Sequence, residues 1–405
     1  MAEPDPKLAS RTAWNLEWNR LARLAASRRS AGRATLDLTE SNPTRCGFDY
    51  DEPAILEALA DRRALVYDPE PRGLAEARQA VVEYYAGWMV AVRPEQILLT
   101  SGSSEAYGYL FRLLAEPGDN VLAPHPSYPL FEFLSRLNDV ELVGYFLSYH
   151  EGWEIDFEWL EGAANGRTRA LIVVNPNNPT GSLLQPQERG RLIEFCRERG
   201  LALICDEVFL DYCFPEASSR AGSLAGATGA LTFALNGLSK IAALPQMKLG
   251  WIAASGPPAL LQDVLARLEV IADTYLSVGT AVQWALPRLL AGRHAIQRQI
   301  LARAAANLRR LDDRLNQQSL CSRPAVEGGW SVVVRIPSIR PDEECALELL
   351  EKDGVLVYPG HFFNFPREGY LVLSLIPPEE VFEEGVAKLL ERVEQRVAGV
   401  ARRPP

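Results

Sequence analysis

Residues 231–255 read LTFALNGLSKIAALPQMKLGWIAAS: two short apolar runs bracketing a loop that carries Lys240. LTFALN and LGWIAAS are nearly continuous in apolar residues, the pattern of strands covered on both faces in a largely parallel sheet. Lys240 follows the first run directly, in a loop punctuated by Gly237 and Pro245. A lysine at the end of so apolar a strand needs a reason, because burying an unpaired charge is costly.

Working outward, five more such runs precede these two: QILLTS, NVLAP, LVGYF, ALIVVN and LALICDE, with helix-like segments between them. Seven runs alternating with helices predict an α/β architecture, a large domain with a mostly parallel seven-stranded sheet sandwiched by helices. A long helical tract over 281–316 leads to a second alternation: GWSVVVRI, the helical ECALELLEKDG, VLVYP, YLVLSLI and a last helix from Pro378 to about Val397. This predicts a smaller α/β domain formed by the N- and C-terminal segments. The expected boundaries are 1–55 for the N-terminal arm and part of the small domain, 56–285 for the large domain, and 286–405 for the linking helix and small domain. Within the arm, residues 14–26 (WNLEWNRLARLAA) space their leucines for an amphipathic helix.

The chain's 405 residues suffice for two to three domains. With 47% hydrophobic and 23% charged residues it reads as globular. A formal charge of −10 leaves no basic surface for nucleic acid or anionic lipid, and no apolar run reaches membrane-spanning length. Small molecules are the expected partners and the cytoplasm the expected location. The six cysteines and four histidines fall at no metal-ligand spacing, so neither a metal site nor a disulfide framework is expected.

Ligands of open parallel sheets bind beyond the carboxyl ends of the strands, and the polar residues gather there. The first run passes through Ser101-Gly-Ser-Ser-Glu105 into a helical segment. Free N–H groups at that helix start suit a phosphate, and a plain N-cap by Ser103 or Ser104 explains the same residues. ALIVVN ends in NPNNPTG, where Asn178 offers an amide. LALICDE ends in Asp206-Glu207, an acid that asks for a cationic partner. Lys240 meets that need: a desolvated lysine loses proton affinity and becomes an amine nucleophile toward a carbonyl. Phosphate cradle, buried acid and amine together match the needs of pyridoxal phosphate, whose ring accepts electrons when its nitrogen stays protonated.

These motifs carry a resemblance. YDPEPRG (67–73), SGSSEA, HPSYPLF, NPNNPTG, DEVF, and LSK followed by PQMKLGW stand in the order seen in pyridoxal-phosphate-dependent aminotransferases of the class I/II family, of fold type I, which the chain resembles over about 36–397. The resemblance implies that Lys240 holds the cofactor aldehyde and then shuttles a proton. It implies that Asp206 pairs with the ring nitrogen, Asn178 reaches the phenolic oxygen, Tyr128 stacks on the ring, and the Ser103 and Ser104 amides receive the phosphate. It gives Ser239 a helping role, and sends Tyr67 to the phosphate of the other subunit of a homodimer.

Four positions depart from the family pattern. Phe209 stands where a tyrosine hydroxyl is usual, Gly237 where a serine is, and Lys248 where an arginine would clamp the phosphate. Val372 stands where an arginine would hold a substrate carboxylate, leaving the Ser41 amide and, as a replacement, Arg45 as candidates; a surface salt bridge is the simpler reading of Arg45. The expected activity is transfer of an amino group between an amino acid, or related amine, and a 2-oxo acid. The alternative is a lyase, racemase or decarboxylase with the same cofactor.

Overall fold

The computed structural model describes residues 8–220 and 222–401. Its strands are β1 (Leu36–Asp37), β2 (Ile97–Thr100), β3 (Asn120–His125), β4 (Glu141–Tyr149), β5 (Trp153–Ile155), β6 (Thr168–Val174), β7 (Ala202–Asp206), β8 (Thr232–Gly237), β9 (Gly250–Ser255), β10 (Ser331–Arg335), β11 (Val355–Leu356), β12 (Tyr358–Pro359) and β13 (Tyr370–Ser374).

The large sheet has the order β2-β9-β8-β7-β6-β3-β4-β5. It holds eight strands rather than the expected seven. The extra one, β5, is a three-residue edge strand folded back against β4 through Leu147↔Ile155, too short to register as an apolar run. β8, β7, β6, β3 and β4 are parallel, whereas β9 runs against both neighbours and β5 against β4. Every residue of β7, β8 and β9 is buried, as strands covered on both faces must be.

Small sheets lie beside this one. β10-β13-β12 is antiparallel, with Val333↔Val372 and Tyr358↔Val372 in register, and β1 pairs with β11 in parallel. The N-terminal segment therefore completes the small core: Leu21 and Leu38 are buried with Val332, Leu371 and Phe382. The helix of the arm is Arg20–Ser30, later than the 14–26 expected. Asn19 starts it by accepting from the Ala22 N–H at 2.7 Å, and Trp14 packs instead on Phe133, ring centres 5.7 Å apart.

The helix Thr280–Leu315 has 36 residues, about 54 Å at the usual rise. Its first half (Val282, Leu286, Leu290) is buried beside the large sheet and its second half (Ala304, Leu311, Leu315) in the small core. One rigid element thus fixes the two sheets relative to each other. Among the described residues no helix is long and apolar enough to cross a membrane.

Candidate active site

Three strand ends meet almost without side chains. A Cβ on Gly237 would lie 2.8 Å from Gly250 Cα, and one on Gly250 would lie 3.0 Å from Gly102 Cα. Packing alone demands glycine at 237, which accounts for the missing serine. Just past this contact the helix Ser103–Leu114 begins, with Gly102 at φ 154° feeding it. Its first-turn N–H groups have no partner within the helix and sit at the positive end of its dipole.

Asp206 ends β7 and is 7% exposed. The Val208 N–H donates to one of its oxygens at 3.2 Å and the Tyr107 hydroxyl to the other at 3.1 Å. Burial pushes its carboxyl up to about 6, while those two donors and the charge of Lys240 pull it back. Lys240 Nζ sits 4.8 Å from the centre of the Trp330 ring and 5.3 Å from that of Phe209. Enclosure brings its amine down to about 8 against the opposing pull of Asp206. Both groups are thus moved toward their neutral forms, so the amine is a usable nucleophile and base near neutral pH.

The short turn Leu238–Ile241 that presents Lys240 is pinned from three directions. The Tyr212 hydroxyl donates to the Lys240 carbonyl at 2.6 Å, Gln297 to the Ile241 carbonyl at 2.9 Å, and the Tyr50 hydroxyl to the Ala243 carbonyl at 2.9 Å. The donors come from three distant parts of the chain, so the amine has little freedom to wander.

Above these groups lies a chamber of about 500 Å³ between the large sheet and β13. The structure brings Lys240, Asp206, Asn178, Tyr128 and Phe209 to its wall, together with Ser103, Ser104, Ser239 and Ser41. The Asn178 carbonyl oxygen accepts from the Ser331 hydroxyl at 3.4 Å, which leaves its amide N–H groups as the donors on offer.

Three expected residues are not at this wall. Arg45 is exposed on the turn Pro43–Arg45, which Asn42 caps from the chain side, and it does not line the chamber of its own chain. Lys248 is exposed, at φ 51°, and Tyr67 is 78% exposed beside Tyr109 and Leu276, away from the chamber of its own chain.

The sequence missed Trp330, which covers the amine, and Tyr107, which holds the acid. Trp330 follows Gly328-Gly329 at the head of the run GWSVVVRI, a signal visible in the sequence. Tyr107 sits inside an ordinary helical pattern and gives none. The arrangement joins an activated amine, a buried acid able to keep a ring nitrogen protonated, and a helix start suited to phosphate.

Comparison with known proteins agrees with this geometry. The family model described as aminotransferase class I and II matches residues 41–389. The chain is similar to the glutamate-pyruvate aminotransferase of Haemophilus influenzae, 26% identical over 88% of this chain and 90% of that protein. It is also similar to the alanine aminotransferase of Mycobacterium bovis, 29% identical over 91% and 87%. Among solved structures, an alanine aminotransferase from Pyrococcus furiosus superposes with a TM-score of 0.87 at 24% identity, covering 96% of this chain and all 100% of that one, a likeness of fold.

Proposed function

From the premise that the chain belongs to the aminotransferase class I and II family and is a transaminase, we propose that it works through pyridoxal phosphate held by Lys240. The observation that carries this is the pairing of an amine lowered to about 8 with a buried carboxyl across one chamber wall. The residues present fit the cofactor. The amine suits its aldehyde, Asp206 its ring nitrogen, the helix start at Ser103 and Ser104 its phosphate, the Asn178 amide its phenolic oxygen, and the Tyr128 face its ring.

When bound, pyridoxal phosphate supplies an electron sink for the pair released at the substrate carbon. The protein does the rest. Asp206, ionised against the positive ring nitrogen, keeps that nitrogen protonated. Lys240, pinned through its own carbonyl, carries the proton at the substrate carbon. Trp330 and Phe209 flank the amine with their rings.

A homodimer is part of this reading. Leu56, Leu65, Val66 and Tyr67 are each more than half exposed, an apolar surface that a second copy would cover, and Tyr67 would then reach the partner's phosphate. The cysteines of the described residues are all unpaired and five of them are buried, which supports a reducing, cytoplasmic setting. We read 56–285 as the cofactor-binding unit and 1–55 with 286–405 as the unit that closes over it.

Borohydride reduction of the loaded protein followed by peptide mapping tests the reading. The expected label is on Lys240, absent in Lys240→Ala, and the rate of loading should rise with pH to a midpoint near 8. A label on Lys248 instead, or no label, overturns it.

A further inference from the structure

We propose that the preferred amino donor is a primary amine whose amine-bearing carbon carries, on the side facing β13, an apolar or hydroxyl-bearing group and not a carboxylate. The proposal rests on the transaminase reading and concerns the half of the chamber that the cofactor leaves open.

That half is walled by the small sheets. Val372 lines the chamber, is 2% exposed, and packs in a cluster with Trp153, Val333, Phe363 and Phe365. Its neighbours across the sheet are Val333 and Tyr358, and Phe362 and Phe363 extend the same wall. Among the described residues, Lys240 is the one lysine or arginine that lines the chamber, and on the proposed reading it would be engaged with the cofactor.

The arginines nearest in sequence do not help. Arg45 and Arg367 are exposed outside the chamber. Arg335, at the far end of β10, lies over the Tyr149 ring at 4.5 Å. A carboxylate pressed against Val372 would lose its water and find no cation in return. The hydroxyls of Ser41, Ser331 and Ser374 stand at the same wall and suit a neutral donor or acceptor.

The chemistry balances without an outside oxidant. The donor amine carbon is oxidised to a carbonyl, the acceptor carbonyl is reduced to an amine, and the nitrogen passes between them. One chamber serves both half-reactions, so a 2-oxo acid meets the same wall and is the more weakly bound of the two substrates.

The experiment uses the loaded full chain, with the borohydride label on Lys240 confirmed first. A missing label overturns the functional reading and not the substrate class. Loss of the cofactor's visible absorbance is then followed with matched pairs: L-phenylalanine against phenylethylamine, and L-leucine against isoamylamine. Calorimetry compares two unreactive ligands, hydrocinnamate and hydrocinnamyl alcohol.

Each amine is expected to equal or exceed its amino acid in kcat/KM, and the alcohol to bind at least as tightly as the acid. An amino-acid lead of about tenfold or more in both pairs, roughly the gain from one well-placed charge contact, overturns the proposal, whatever subunit supplies the charge. Val372→Arg sharpens the result. If it loads cofactor, it should move preference toward the amino acids by about tenfold, and a loaded variant with unchanged preference counts against the proposal. Should the variant fail to load, the wild-type pairs and the calorimetry decide alone.

Discussion

The two walls of the chamber are built on opposite principles. The wall from the large sheet is crowded with groups that cost energy to bury: an acid, an amine and the polar residues that hold them. Asp206 is held by the Tyr107 hydroxyl, and the backbone carbonyl of Lys240 by the Tyr212 hydroxyl. Among the described residues the wall from the small sheet is uncharged, with Val372 between Val333 and Tyr358 and with Ser331 and Ser374 as its polar members. The difference divides the labour. Charges placed at fixed positions serve the same chemistry whatever the substrate, whereas an apolar surface selects by shape and by what it refuses to solvate.

The largest effect that this contrast predicts falls on the polar wall. On the proposed reading Asp206→Ala removes the anion that would keep the ring nitrogen protonated, and kcat should drop by about 10²–10³, the scale seen when one preorganised electrostatic partner is removed from an active site. Val372→Ala, on the opposite wall, should change kcat/KM by less than about tenfold and mostly through KM, because it removes only apolar contact. Steady-state kinetics on the two variants breaks the comparison if their order is reversed.

A finer test asks whether Tyr107 only packs or also sets the charge on Asp206. The carboxyl is raised in the folded protein, from 3.8 to about 6, so the folded state holds this proton where the unfolded chain has released it. Its effect on the cofactor-free protein is therefore a stability that falls as pH rises between those two values. The Tyr107 hydroxyl donates to the ionised carboxylate. Tyr107→Phe should raise the carboxyl further and extend the falling limb above pH 6, at a cost of about 1–3 kcal/mol near neutral pH. Thermal unfolding across pH reads this out. A uniformly lowered Tm with an unmoved limb would mean packing alone.

The same division explains what could be read from the chain. Lys240, Asp206, Asn178 and Ser103 stand at the ends of apolar runs, and strand ends are where such sheets place ligands, so a one-dimensional pattern brings them to one chamber. Trp330 and Tyr107 act on those residues from 90 and 99 positions away. No local periodicity encodes such a contact. β5 was missed because three residues are too few to show a period, and the arm helix was displaced because Asn19 outweighs the apolar spacing before it. Nearness in sequence points to Arg45, and the Asn42-capped turn leaves it exposed to solvent in the single chain.

The smallest effect belongs to Phe209, which stands on the polar wall but is apolar. Its ring packs edge-on against Trp330, with centres 5.4 Å apart and planes at 69°, and it is 7% exposed where it meets the chamber. On the proposed reading no hydroxyl of this ring would reach the cofactor's phenolic oxygen, and the Asn178 amide would serve there without a second donor. Phe209→Tyr would add one. A donor to a negatively charged oxygen stabilises the deprotonated form of the bound cofactor, so the midpoint of its visible absorbance against pH should fall, by about one unit for a contribution near 1.4 kcal/mol. Crowding sets the opposite possibility: the new hydroxyl also needs room beside Trp330, and a strained ring would donate poorly. A spectrophotometric titration separates the two, because a lower midpoint with unchanged Tm means the donor is engaged. An unmoved midpoint with a lowered Tm means that this part of the polar wall is committed to packing, as the small-sheet wall is.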